Sequence, residues 1–296
     1  MVRHTCTGAR ISPRSPRAVE PFSDADAGKR IYDAAKPLRA AGITNLAALD
    51  AVAATMRSVV TQPLVKGEVS GRVAAVMDPP YLRFCRPCNA THLHEMPFRL
   101  AALRAGLELR AGTSPPVLEP IPGFARTDAV PERFDVVRGY LRLLGPATPK
   151  HVADYLDAPL RDVKARWPSD ASEVSVDGQT RWVLAAEADT LAGWPVPPTR
   201  LLAPFDLFLQ ARDRQLLVGD PAHAKALWPV LGRPGAVLSA GEIAGMWRPR
   251  KAGRKLTVEV TLWATTSAAV RRAIAEQAER LALYRRSTLT GVDFVT

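Results

Sequence analysis

Apolar residues recur at helical spacing in two short stretches early in the chain. The first begins after Thr44, a residue type that caps helix N-termini. Its apolar face carries Leu46, Leu49, Ala53, Met56 and Val60. The second places Val69, Val73 and Val76 inward and ends at the break Asp78-Pro79-Pro80. The two stretches predict a helix, a tight turn and a second helix.

The segment from Phe134 to Leu184 predicts a more complete unit of the same kind. A stripe from Phe134 to Leu144 stops at Gly145-Pro146, and two short helices follow at His151–Leu156 and Leu160–Trp167. Two alternating runs then flank Asp177-Gly178, a strong signal for a hairpin turn. Three helices followed by a hairpin predict a winged helix.

The proline-rich stretch Trp194–Pro198 predicts a rigid linker to a C-terminal domain. Beyond it, the runs that read as strands are Gln215–Val218, Ala236–Leu238, Glu242–Trp247 and Leu256–Trp263. A helix is predicted over Ser267–Arg286, with Val270, Ile274, Ala278 and Leu281 along one stripe.

The fold class is therefore expected to be α+β: tandem winged helix-turn-helix domains followed by a C-terminal α+β domain with a basic β-hairpin and a terminal helix. The expected divisions are a disordered basic leader at 1–21, a winged-helix-like domain at 22–125, a winged-helix domain at 131–193 and the α+β domain at 199–296.

Charge is unevenly distributed along the 296 residues. The net charge is +11. Met1–Val19 carries four arginines and no acid, while Trp247–Arg286 carries ten bases and three acids, so these two segments account for the whole excess. We therefore expect a polyanionic partner to bind mainly to the C-terminal third of the chain. The alternative is a solvated basic surface.

Composition narrows the class of protein further. Hydrophobic residues make up 47% of the chain, which allows sizeable cores, but charged residues or prolines interrupt every apolar run before it reaches the length of a membrane span. The basic leader lacks the apolar segment of a secretory signal, and an odd count of three cysteines argues against a disulfide framework. We expect a cytoplasmic protein with no membrane partner.

Two groups of cations are candidate DNA contacts. On the predicted helix Leu160–Trp167 and the wing that follows, they are Arg161, Lys164, Arg166 and Arg181, with Asp162 beside them. On the predicted C-terminal hairpin, they are Arg248, Arg250, Lys251, Arg254 and Lys255. The alternatives are a protein-interaction module for the first group and a charge-protected sheet edge for the second.

Cys85, Cys88, His92 and His94 offer four ligand types for zinc. Their spacing is unusual for a structural site, because only one residue separates the two histidines and a strand would direct both the same way. We therefore expect no metal and no cofactor. Motifs for phosphate-binding loops, dinucleotide folds, serine hydrolases and zinc proteases are absent from the sequence.

Several spaced motifs resemble the AlkZ/YcaQ-like winged-helix DNA glycosylases. They are Leu202-Ala-Pro-Phe-Asp206, Arg212-Asp213-Arg214, Lys225-Ala-Leu-Trp228, Gly241–Arg248, the basic hairpin, and Cys85-Arg-Pro-Cys88 with Thr91-His92 and Phe98–Arg104. The resemblance implies a bacterial DNA-repair protein built of tandem winged helices around a concave surface for double-stranded DNA. Such proteins excise alkylated bases or unhook interstrand crosslinks without a metal.

The catalytic Gln-x-Gln or Gln-x-Asp motif of that family is missing from this chain, because none of its five glutamines has Gln or Asp two positions on. We therefore expect a shortened or catalytically silent, monomeric DNA binder associated with the nucleoid, and no catalytic residue is assigned. The alternatives are a winged-helix transcriptional regulator and a protein-interaction scaffold.

Overall fold

The computed structural model describes residues 20–126, 130–189 and 195–295. Most of the predicted leader and the start of the predicted linker lie outside these ranges. The chain forms two compact units, one comprising the residues up to Gly139 together with Ala158–Arg166, and the other comprising Tyr140–Asp157 together with Trp167 onward. No helix within the described ranges is long and apolar enough to cross a bilayer.

Helices and strands are interspersed throughout the described ranges. The helices are α1 (Asp24–Arg30), α2 (Ala35–Ala40), α3 (Asn45–Val59), α4 (Lys66–Ala74), α5 (Glu95–Arg104), α6 (Val136–Leu144), α7 (Pro149–Leu156), α8 (Leu160–Lys164), α9 (Ala185–Ala188), α10 (Arg214–Leu217), α11 (Pro221–Leu227) and α12 (Ala268–Tyr284). The strands are β1 (Leu64–Val65), β2 (Leu82–Cys85), β3 (Ala90–Leu93), β4 (Leu107–Leu109), β5 (Val117–Pro120), β6 (Ala171–Val176), β7 (Gln179–Leu184), β8 (Arg200–Leu202), β9 (Gly235–Ser239), β10 (Glu242–Ala252), β11 (Lys255–Leu262) and β12 (Thr288–Val295). The mixed α+β class is confirmed.

The first unit is organised around α3. The Thr44 side chain caps this helix by accepting a hydrogen bond from the backbone of Ala47, and its fully buried face includes Val52 and Met56. Helices α1, α4 and α5 pack against it. The antiparallel sheet β1-β5-β4 and the separate hairpin β2-β3 complete the unit. The predicted first two helices are confirmed, but Val76 is exposed, because α4 ends before it.

The second unit contains the hairpin β6-β7 and a five-stranded sheet in the order β12-β11-β10-β9-β8. Asp177 and Gly178 both adopt positive φ at the β6-β7 turn, as the sequence predicted. All neighbouring strands of the larger sheet are antiparallel except β11 and β12, which are parallel and are joined through α12. A connection through a helix is what a parallel pair requires.

Two sequence predictions for this unit are wrong. Gln215–Val218 is not a strand, since its residues 215–217 lie in the short helix α10; an apolar run of four residues carries too little periodicity to distinguish the two states. The helix α12 is not terminal, because β12 follows it and pairs with β11.

The base of the β10-β11 hairpin is fixed by close backbone packing. Trp247 is buried, and its indole Nε1 donates a hydrogen bond of 2.8 Å to the carbonyl of Leu202. Gly235 lies opposite Trp247 in the sheet, and a Cβ there would overlap the indole ring and the Leu202 carbonyl. Glycine at 235 therefore allows the tryptophan to anchor β10 to β8.

Candidate nucleic-acid interface

The basic hairpin is a long two-stranded projection of the five-stranded sheet. Strands β10 and β11 pair continuously from Gly245 opposite Leu262 to Ala252 opposite Lys255. Gly253 occupies the first turn position with φ +58°, a conformation that costs glycine little. The turn therefore consists of Gly253 and Arg254, and the basic residues surround it.

One face of the sheet packs against α12. The opposite face is covered by α10 and α11 around Ala236 and Ile243, so that only the far end of the β10-β11 hairpin is open. Alternate residues of β11, including Leu256 and Val258, are buried together with Trp247 against Ile274 and Ala278 of α12. Because side chains alternate across a strand, Arg248, Arg250, Lys255 and Glu259 lie on the opposite face. That second face is available to a ligand only at the far end of the hairpin, where residues 249–255 are exposed.

The cations of the hairpin are not equivalent. Arg250 forms two hydrogen bonds with Glu259, at 2.9 and 3.2 Å, and the carboxylate in turn raises the pKa of this guanidinium. Arg248 donates to the carbonyl of Gly232 at 2.6 Å. By contrast, the charged groups of three exposed residues have no hydrogen-bond or ion-pair partner among the residues that the structure describes; these are Lys251, Arg254 and Lys255. The free charge is concentrated at the turn.

Two further arginines join this turn from a distant part of the sequence. The backbone N–H of Thr288 donates to the carbonyl of Arg254 at 2.8 Å, which brings the end of α12 to the turn. Arg285 and Arg286, just before Thr288, are exposed. Both arginines belong to the basic segment Trp247–Arg286 of the sequence, but the predicted site did not include them. We refer to Lys251, Arg254, Lys255, Arg285 and Arg286 as the basic tip.

Exposed apolar side chains accompany these arginines. Leu283 and Tyr284, in the last turn of α12, are 80% and 87% exposed. Large side chains with this exposure beside uncompensated cations are suited to a nucleic acid, which offers both phosphates and base or sugar surfaces.

The helix α8 carries fewer free charges than the sequence predicted. Arg161 and Lys164 are exposed. Arg166, although exposed, donates to the carbonyl of Phe22 at 2.9 Å and stacks over the Phe22 ring at 4.5 Å. Asp162 is buried and accepts a hydrogen bond from the Ser23 hydroxyl, and its carboxylate also lies 3.6 Å from Arg161 Nε, so Arg161 already has an acidic partner.

Arg181 is not an exposed wing residue, and that part of the prediction is wrong. It is only 8% exposed, and its guanidinium donates to the Asp213 carboxylate at 2.8 Å and to Gln179 at 2.9 Å. His151 Nδ1 lies 3.8 Å from the same carboxylate. A buried arginine held in this way stabilises the fold and is not available to a phosphate.

The comparisons with known proteins agree with the resemblance of the sequence motifs to AlkZ/YcaQ-like DNA glycosylases. The family model described as DNA glycosylase AlkZ-like matches residues 4–284, and the chain therefore belongs to the AlkZ-like DNA glycosylase family. Among solved structures, it is similar to the DNA glycosylase AlkZ of Streptomyces sahachiroi, with a TM-score of 0.63 and 20% identity over 87% of this chain and 72% of that one. At this identity the likeness shows the fold. The comparison with curated proteins gave no match.

Proposed function

We propose that this chain is a DNA-binding member of its family, in which the basic tip contacts the phosphates of double-stranded DNA. The observation that carries the proposal is that Lys251, Arg254 and Lys255 have no partner within the described part of the chain, while Arg285 and Arg286 join them. Unpaired exposed cations gain more from phosphate contact than cations already held by carboxylates, since no existing ion pair has to be broken.

The electrostatic mechanism predicts strong salt dependence. Each phosphate neutralised by the tip releases condensed counterion, so the logarithm of the binding constant falls with the logarithm of salt concentration by about 0.9 per contact. Five cations therefore allow a slope of up to roughly −4.5. Affinity of this kind is independent of base sequence and suits a protein that searches DNA for damaged sites.

We further propose that the chain uses tandem winged helices, at residues 22–125 and 131–193, ahead of the α+β domain at 199–296. The order α6, α7, α8 and then the hairpin β6-β7 supports the second of these, because three helices followed by a two-stranded wing define the motif. Arg161 and Lys164 on α8 are exposed and would contribute secondary phosphate contacts. The protein would act as a monomer at the nucleoid of a bacterial cytoplasm.

For catalysis, the proposal is that the 296-residue polypeptide itself excises alkylated bases poorly. Family members carry a Gln-x-Gln or Gln-x-Asp motif that positions the attacking water, and this sequence has neither. Membership in a DNA glycosylase family does not favour the two alternative functions, a winged-helix transcriptional regulator or a protein-interaction scaffold. The binding role therefore stands on the basic tip and does not depend on hydrolysis.

The test is fluorescence anisotropy with a labelled duplex at two salt concentrations. The variant Lys251→Glu/Lys255→Glu should lose most of the affinity of the wild type at low salt. The matched control is Lys36→Glu/Arg39→Glu, which makes the same change in net charge at exposed positions on α2. Equal loss in both variants would mean that only net charge matters, and unchanged binding in the tip variant would overturn the proposed interface.

A further inference from the structure

The hairpin β2-β3 brings two thiols and an imidazole together. Cys85 ends β2, Cys88 lies in the turn, and His92 lies in β3. Their ligand atoms are all within 4.8 Å of one another, and both cysteines are free thiols. His94, by contrast, is at the start of α5, where its ring is buried. On one continuous strand both histidines would point the same way, but β3 ends at Leu93, between them.

The strand register explains why these three side chains lie close together. Cys85 pairs with Ala90 and Arg83 pairs with His92, so Cys85 and His92 are diagonal neighbours on one face of the hairpin. The four-residue turn is closed by a hydrogen bond of 3.1 Å from Asn89 N–H to the carbonyl of Arg86, and Asn89 has φ +48°. This turn returns the chain so that Cys88 faces the same neighbours.

The imidazole is also oriented for ligation. His92 Nδ1 lies 2.9 Å from the carbonyl of Leu93, so it acts as the donor of that bond and leaves Nε2 unprotonated when the ring is neutral. A second ring nitrogen bonded to a carbonyl is the usual arrangement behind a metal-bound histidine, because it fixes both tautomer and ring angle.

We propose that Cys85, Cys88 and His92 bind one thiophilic divalent cation of the zinc class. Tetrahedral zinc has bonds of about 2.3 Å to sulfur and about 2.0–2.1 Å to nitrogen, which places ligand atoms roughly 3.5–3.8 Å apart. The three ligand atoms now lie within 4.8 Å of one another, and side-chain rotations would bring them to that spacing. On binding, both thiols release their protons to solvent. This proposal reverses the expectation drawn from the sequence spacing alone.

With three protein ligands, the fourth coordination position of a tetrahedral ion would be left to solvent or another ligand. A cavity of about 390 Å³ beside the cluster is lined by Cys88 and His92 together with Lys66 and Ser70. Three protein ligands and one exchangeable position give a weaker site than a closed set of four. The ion would join the end of β2 to β3, which pair with no other strand.

The experiment is a Co²⁺ titration of the full chain, reduced with a phosphine, and monitored by thiolate-to-cobalt charge-transfer absorption. One Co²⁺ should bind per chain and be displaced by Zn²⁺. Cys88→Ser and His92→Ala should each weaken binding by about tenfold or more. Cys6→Ser, at the one cysteine of the sequence outside this hairpin, is the matched control and should bind as the wild type does.

Circular dichroism of each variant will confirm that it is folded before titration. Absence of the charge-transfer band in the reduced wild type would overturn the proposal. So would equal Co²⁺ affinity in the His92→Ala variant, or a Cys85–Cys88 disulfide that forms in air and persists when Zn²⁺ is present from the start of purification.

Discussion

The backbone N–H of Thr288 donates a hydrogen bond of 2.8 Å to the carbonyl of Arg254, and this bond brings two distant basic segments together. Without it, Arg254 would be only a turn residue of a hairpin, and Arg285 only the cap of a helix. With it, both belong to one exposed group of positive charges. The bond follows from the parallel pairing of β11 and β12, which starts at Lys255 and Thr288.

The variant Arg285→Ala/Arg286→Ala should weaken DNA binding and make it less dependent on salt. Each arginine that contacts a phosphate contributes about −0.9 to the slope of log affinity against log salt. The double variant should therefore bind with a slope shallower by up to about 1.8. Fluorescence anisotropy over a series of salt concentrations measures this slope. A slope equal to that of the wild type would show that neither arginine contacts a phosphate.

Arg181→Ala should unfold more easily, whereas its DNA affinity should be unchanged while it is folded. Removing one partner of a buried ion pair leaves the other charge uncompensated and typically costs about 3–5 kcal/mol. Arg142→Ala is the control, because Arg142 and Glu187 form a more exposed pair, worth about 1 kcal/mol or less. Urea unfolding of the three proteins gives the comparison, and equal costs for both variants would contradict the buried pairing.

Stability should decrease as pH falls below neutral, in part because of His151. Burial lowers the pKa of His151, against the opposing effect of Asp213, while Arg181 and Lys150 lower it further and Asp154 raises it. The unfolded chain, with an ordinary histidine pKa of about 6.5, binds the proton first. The unfolding free energy therefore falls as pH decreases from that value toward the lowered pKa.

The measurement is urea unfolding at pH 7.5 and pH 5.5 for the wild type and His151→Asn. The variant should lose less stability between the two pH values, because it has no group to protonate at this position. An identical pH dependence in both proteins would show that His151 titrates alike in the folded and unfolded states.

Gly235→Ala should destabilise the sheet, because the added methyl group would overlap the Trp247 indole. Overpacking of this kind costs roughly 1–3 kcal/mol. The control is Gly71→Ala, in α4, where a Cβ would meet nothing within 4 Å and a helical alanine is favoured over glycine. Thermal unfolding should shift down for the first variant and slightly up for the second; a neutral Gly235→Ala would mean that the strands can separate to accommodate it.

The polypeptide of 296 residues should release alkylated purines from DNA far more slowly than a family member with the Gln-x-Gln motif. Loss of a single group that stabilises the transition state typically lowers the rate by about 10²–10³-fold. The assay is incubation with an alkylated duplex followed by alkaline cleavage of abasic sites. Cleavage at a comparable rate would show that other residues of this chain position the water.

The sequence was sufficient for several features whose determining interactions are local. The turn at Asp177-Gly178 depends on the two turn residues, and the buried stripe of α12 with Ile274 and Ala278 depends on helical spacing. The family was also recognisable from the spacing of short motifs, and the family model confirms it. These features need no knowledge of distant partners.

The sequence failed wherever a partner lies far along the chain. Arg181 was expected to be exposed, because nothing near it in sequence indicates that Asp213 will pair with it. Arg285 was left out of the site for the same reason, since parallel strand pairing through a helix sets its position. The thiol cluster is a local exception: it was dismissed on spacing, although the hairpin register, and not the spacing, determines which residues lie beside Cys85.

The parallel pairing of β11 with β12 also has a kinetic consequence. The β10-β11 hairpin closes through a two-residue turn. Strand β12, by contrast, is separated from β11 in sequence by the whole of α12, so the two can pair only after the helix has crossed the sheet. Pairing of strands that are distant in sequence carries a larger loop-closure cost and forms slowly. During refolding, a hairpin bearing three of the five cations therefore forms first, and full DNA affinity should be recovered only when the last strand docks.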